Sequence, residues 1–185
     1  MTINPTDLLI APPTMPDQRF RGTVLMIISH NDSGTVALCL NQPTDITTED
    51  MPEIRDPQVF NPLNHPIYWG GPICPESIWM LHSREWDSAN TMDVGDDLKI
   101  SSDMAMLQEI MGGACPNHFR LMHGFASWEA GQLEAELAGT GPWNRNQSWL
   151  ITQCPDLEIL LECPVEELWT MATGLCAQNA VSSWL

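Results

Sequence analysis

His30 and Asn31 stand together at the end of an aliphatic run. A histidine at such a place can act as acid, base or ligand, because its ordinary pKa lies near neutrality, and the asparagine beside it tolerates the left-handed conformation of a turn. Ser127 with His30 or His82 suggests a nucleophile and its base, since a hydroxyl attacks only when a neighbour accepts its proton. The surrounding sequence, Gly-Phe-Ala-Ser-Trp-Glu-Ala-Gly, is not the Gly-x-Ser-x-Gly of a nucleophile elbow. Ser127 is therefore expected to be a helix N-cap, and no residue is assigned a catalytic role. Gly70-Gly71-Pro72 could form a backbone nest for an anion or simply a turn leaving a strand. Trp128, set among small residues, is either a core plug or a binding anchor. His118 and His123 are five apart on one expected strand, so they face opposite ways and do not share a metal. Glu85, Asp87, Asp93, Asp96 and Asp97 lack the spacing of a calcium loop and read as a solvated face. Neither a metal nor a cofactor is expected.

Strands and turns must position these residues. Phe20 to His30 and Thr35 to Asn41 are rich in β-branched and aliphatic residues, and Asn-Asp-Ser-Gly between them predicts a hairpin. Thr47 ahead of acidic residues predicts a short helix, and the Pro and Asn of residues 56–66 predict a loop. Two short strands follow, Ile67 onward and Ser77 to Ser83, separated by a turn around Pro72 and Pro75. An acidic loop over residues 85–97 leads to a strand at Leu98. Ser102 is expected to cap a helix that stops at Gly112-Gly113. Residues 118–126 predict a strand and 128–138 a helix. In that helix Gly131 would cost about 1 kcal/mol relative to Ala, which implies close packing around it. Residues 148–152 read as a strand, and Val165, Leu168, Trp169 and Ala172 lie at helical spacing after Pro164. Strands mixed with about three helices and joined by tight turns define an α+β protein with a largely antiparallel, curled sheet.

Composition limits the partners. The 185 residues suit one domain spanning 1–185. Seven Lys and Arg against 24 Asp and Glu give a net charge of −17, which repels phosphate backbones and disfavours direct nucleic-acid binding unless Arg19, Arg21, Arg120 and Arg145 cluster. A basic partner, a divalent cation or a protein is easier to accommodate. The six Cys lie in apolar segments without a pairing pattern and are expected to be buried free thiols. No segment resembles a signal peptide or a membrane span, so a cytoplasmic protein is expected.

The segments MPDQRFRGTVLMIISHNDSGTVALCLNQPT, YWGGPICPESIWMLHS, ISSDMAMLQEIMGGACPNHFRLMHGFASWEAGQLEAEL and PVEELWTMATGL occur in an order and spacing that resemble the YqgE/AlgH family of bacterial proteins, over about residues 8–180. The resemblance implies a flattened, barrel-like, mostly antiparallel sheet with three to four flanking helices. Family members are described as candidate transcriptional regulators, after a link to alginate control, with no agreed biochemical activity. Ser29, Ala37 and Ser127 depart from the family pattern, which carries Gly where Ser127 stands. The expected function is a non-enzymatic regulatory or interaction protein that contacts an unknown protein or small ligand near His30, Asn31, Gly70, Gly71, His82 and Trp128. The alternatives are a hydrolase or transferase with His30 or His82 as general base, and a direct DNA-binding regulator, which the charge opposes.

Overall fold

A computed structural model describes residues 2–51, 62–140, 149–153 and 156–182. Most of the loop expected over residues 56–66, together with Arg145, Cys154 and the last three residues, lies outside them. The described strands are β1 (Leu8–Ile10), β2 (Val24–Asn31), β3 (Gly34–Cys39), β4 (Ile67–Trp69), β5 (Ile73–Ser83), β6 (Met92–Val94), β7 (Leu98–Ser101), β8 (Phe119–Glu129) and β9 (Leu150–Thr152). They form one curled sheet in the order β6-β7-β5-β8-β3-β2-β1-β9, with β4 added beside β8. Every pairing is antiparallel except β4 with β8. The α-helices among the described residues are α1 (Met104–Met111), α2 (Gln132–Ala138), α3 (Leu157–Glu162) and α4 (Val165–Ser182).

Side chains alternate across a strand, and here both faces are covered. Leu8, Ile10, Val24 and Met26 join the core under α3 and α4, whereas Leu9, Leu25 and Ile27 pack with Phe20, Trp128, Leu133 and Trp149 on the other face. A third cluster seats Met106, Leu107, Ile110 and Met111 of α1 on Ile67, Met80 and Leu121. A sheet buried on both faces reads as a continuous apolar run, which is what Leu8-Leu9-Ile10 is.

The central strand is β8. Along one edge it pairs with β5; along the other it pairs first with β4, at Leu121–His123, and then with β3, at Ala126–Glu129. Gly70 fills the change of partner: its N–H donates to the His123 carbonyl at 2.8 Å and its carbonyl accepts from Cys39 N–H at 2.8 Å. A Cβ on Gly70 would lie 2.4 Å from the Gly124 oxygen, and one on Gly71 would lie 2.0 Å from the Phe125 carbonyl carbon. These glycines thus permit a backbone crossing against β8.

Several sequence expectations shift. Ser127 and Trp128 belong to β8, so Ser127 caps no helix. The cap of α2 is Gly131, at φ 76°. Nothing lies within 4 Å of where its Cβ would be; the left-handed backbone, and not close packing, is the reason for glycine. Asp103 caps α1 in place of Ser102, its Oδ1 accepting from Met106 N–H at 2.8 Å. Pro75 lies inside β5, at an irregularity between Ile73 and Ile78. The acidic stretch contains β6, which pairs with β7. The five described cysteines are free, but of these only Cys39 is buried; burial pushes its thiol pKa up to about 12.

Candidate functional site

Three of the expected site regions lie along β8. His82 pairs with Phe119 near its start, Gly70 and Gly71 cross it at residues 123–126, and Trp128 lies near its end. His30 and Asn31 are two strands away, on β2, across β3 from Trp128. The two histidines considered as general bases are therefore at opposite ends of β8 and on different strands.

His82 is fully buried. Its Nδ1 lies 2.9 Å from the Ser83 carbonyl and its Nε2 2.9 Å from Ser101 Oγ. Desolvation is the largest influence on the ring and lowers its pKa. A carbonyl can only accept, so Nδ1 carries the proton and Nε2 accepts from the Ser101 hydroxyl. Ser101 Oγ in turn accepts from Thr91 Oγ1 at 2.6 Å, and Thr91 accepts from Ser88 N–H at 2.7 Å. Every donor in this chain has its acceptor.

His30 is partly buried. Its Nδ1 lies 2.8 Å from Thr35 Oγ1, and its Nε2 3.6 Å from Glu134 Oε1 on α2. Asn31 ends β2 and turns the hairpin, its Oδ1 accepting from Ser33 N–H at 2.8 Å. His118 lies just before β8 and pairs with Glu162 at 3.0 Å, while His123 Nδ1 lies 3.3 Å from the Pro75 carbonyl. Among the described residues, no three His, Cys, Asp or Glu side chains gather as a metal-ligand set.

Trp128 has a different setting. Only 6% of it is exposed, and it lines a cleft of about 190 Å³ with Phe20, Ser127, Gln132, Glu136 and Trp149. Trp128 and Trp149 meet edge to face at 5.7 Å, and Phe20 and Trp149 at 5.5 Å. Glu136, also 6% exposed, accepts from Trp128 Nε1 at 3.1 Å and from Trp149 Nε1 at 2.8 Å on one oxygen. Its other oxygen accepts from Gln132 Nε2 at 2.9 Å. No cation pairs with it among the described residues. At the mouth, Arg19 is held by Asp17 at 2.6 Å and lies over the Phe20 ring at 5.9 Å. A shallow groove of about 270 Å³ shares Ser127 and Trp128 with this cleft and runs on to Asn31 and Glu129. Of the six expected residues, Asn31 and Trp128 thus share one surface, whereas His82 is remote from it.

Glu136, Gln132, Trp149 and Phe20 were not singled out in the sequence. One signal was present: Glu136 stands three residues after Leu133, on the apolar stripe of α2, where a carboxylate needs partners. Arg120, one of the four arginines whose clustering would favour nucleic acid, is instead 6% exposed and donates to the carbonyls of Leu40 at 2.7 Å and of Leu161 and Cys163 at 3.0 Å. It ties the end of α3 to the sheet and forms part of the wall of a separate cleft of about 320 Å³ with His65, Tyr68 and Glu162.

A curled, mostly antiparallel sheet with helices on both faces and a tryptophan cleft at the end of its central strand defines the structural class. The AlgH-like family DUF179 matches residues 8–180, and the chain belongs to this YqgE/AlgH family. A UPF0301 protein of Burkholderia cenocepacia is 37% identical over 173 residues, covering 90% of this chain and 85% of that protein. One from Marinomonas sp. strain MWYL1 is 32% identical over 167 residues, covering 89% and 85%. The solution structure of AlgH from Pseudomonas aeruginosa superposes with a TM-score of 0.75 at 31% identity, covering 95% of this chain and 92% of that one. A Corynebacterium diphtheriae protein shares the fold at 21% identity, with a TM-score of 0.67 and coverage of 91% and 85%. No helix among the described residues is long and apolar enough to cross a membrane.

Proposed function

We propose that the protein is a non-enzymatic, cytoplasmic regulatory or interaction protein, and that it contacts its partner through the Trp128 cleft and the adjoining groove at Asn31. The observation that carries this reading is the cleft itself, in which aromatic rings and a buried carboxylate meet beside an exposed Ser127. Recognition sites commonly combine apolar walls with a few fixed polar groups. General-base chemistry has less support: both ring nitrogens of His82 are engaged out of solvent, and His30 already has Thr35 and Glu134 as neighbours. A net charge of −17 opposes direct contact with DNA, so any influence on transcription runs through another molecule.

Ser127→Tyr tests the reading. The side chain is exposed on a strand, where Tyr is well tolerated, and Ser127 lines both the cleft and the groove, so a Tyr there adds bulk where a partner would pass. Affinity capture from native lysate, with nuclease present, should recover a partner with the wild type and lose it with a Ser127→Tyr variant of unchanged melting temperature. Equal recovery by both would move the contact face elsewhere. Turnover of a generic ester or phosphate substrate that disappears in His30→Ala would replace the reading with an enzyme.

A further inference from the structure

We propose that the Trp128 cleft receives a cationic side chain, a lysine or arginine, from a protein partner. The inference rests on the preceding reading and names the chemistry of the group that enters. An ionised carboxylate offers about four acceptor positions, and Glu136 fills three of them, all with neutral N–H donors. Its position on the cleft wall leaves an acceptor for a donor from outside. A buried carboxylate is best satisfied when a positive charge joins its hydrogen bonds, and no side chain of this chain supplies one among the described residues. Arg19 is the one cation lining the cleft among the described residues, and Asp17 holds it in a bidentate pair.

The walls match the same guest. Cations bind over the faces of Trp and Phe rings, and Phe20, Trp128 and Trp149 line the cleft. Arg19 over Phe20 is an internal instance of that contact. The field of the whole chain, at −17, draws cations toward the surface. A protein partner fits better than a free amine because the cleft is open and adjoins, across Ser127 and Trp128, the groove along Asn31 and Glu129. A partner's backbone can lie there while one side chain enters.

The test uses the full chain and three blocked pentapeptides, Ala-Ala-X-Ala-Ala with X lysine, arginine or the uncharged isostere norleucine, together with methylammonium and guanidinium ions alone. The indole N–H signals of Trp128 and Trp149, followed by NMR, report on the two donors that hold Glu136. The lysine or arginine peptide should shift both signals saturably and bind at least about tenfold more tightly than the norleucine peptide. Glu136→Gln keeps the shape and one carbonyl acceptor; with an unchanged melt it should remove that preference. Ser127→Tyr, which leaves the carboxylate in place, should abolish binding of every peptide and serves if Glu136→Gln does not fold. Norleucine binding as tightly, a preference that survives Glu136→Gln, or no peptide binding at all would overturn the inference. Free ions binding as tightly as the peptides would overturn the assignment to a protein partner. A partner captured by wild type and lost by Ser127→Tyr, without any charge preference among the peptides, would leave the interaction reading standing and sink this one alone.

Discussion

The two ends of β8 each bury an ionisable side chain in a hydrogen-bonded cluster, and the clusters differ in whether they close. At the start, His82 leads through Ser101 and Thr91 to a backbone amide, and on its other side to a backbone carbonyl. Each proton in that chain has a fixed direction. At the end, Glu136 gathers two indoles and an amide and still faces a cleft. Burial of a titratable group is therefore weak evidence of function by itself. The informative quantity is the hydrogen-bond account: a closed account marks a structural group, and an open one beside a cavity marks a place for a ligand.

The strongest way to break the comparison is to break the strand that both ends share. Gly71→Ala would place a Cβ 2.0 Å from the Phe125 carbonyl carbon and 2.3 Å from Ala126 N. Both neighbours are backbone, so relief requires moving β8. We expect a loss of at least about 3 kcal/mol in a denaturant titration, at the upper end of overpacking effects. The indole signals of Trp128 and Trp149 should shift together with resonances near His82. A variant as stable as wild type would show that the crossing is looser than described.

His82 provides the next largest effect and a test of closure. Protonating the ring would require Nε2 to donate to Ser101, and Ser101 to turn its hydroxyl toward a Thr91 oxygen that already accepts from Ser88. The Thr91 hydroxyl would then lose its acceptor within the chain. Desolvation holds the folded pKa below the ordinary value of 6.5. The unfolded chain thus binds the proton more readily, and this contribution to stability is present above pH 6.5 and declines as pH falls below it. His82→Gln should cost about 1–3 kcal/mol at pH 7.5, since the Ser83 carbonyl loses its donor. It should also flatten the fall in stability between pH 6.5 and 5 relative to wild type. Identical slopes in the two proteins would mean that His82 is not the group responsible.

Parts of this contrast were legible in the sequence. Asn-Asp-Ser-Gly between two aliphatic runs does form the β2–β3 hairpin, and the family resemblance implied the curled sheet that the structure has. At the end of β8 the composition of Trp128-Glu-Ala-Gly-Gln-Leu-Glu predicts a helix, whereas pairing with β3 extends the strand through Glu129. Local preference yielded to the sheet. The same shift moved Gly131 from helix interior to cap. The His82 chain was invisible for another reason: Ser101 is paired with β5 through the sheet register, and no local spacing brings residues 82, 91 and 101 together. Glu136 could be suspected from its apolar helical stripe, but its two indole donors come from β8 and from just before β9, and only the fold makes them neighbours.

His30 should give the smallest effect, and it tests how far the open end extends. Its ring is partly buried, its nitrogens face Thr35 Oγ1 and the half-exposed Glu134, and the 3.6 Å contact to Glu134 is a surface pair. Such pairs contribute roughly 0–1 kcal/mol. His30→Gln retains a polar group that can reach Thr35, so its stability should fall within about 0.5 kcal/mol of wild type in the same titration. Because Glu134 and Glu136 lie two apart on α2, they project from different sides of the helix, and of the two His30 pairs with Glu134. Its removal should therefore leave the preference for the lysine peptide intact. A loss of preference as large as that of Glu136→Gln would show that the contact face takes in His30 as well as Asn31 on β2, and that His30 belongs to the recognition surface along with the carboxylate.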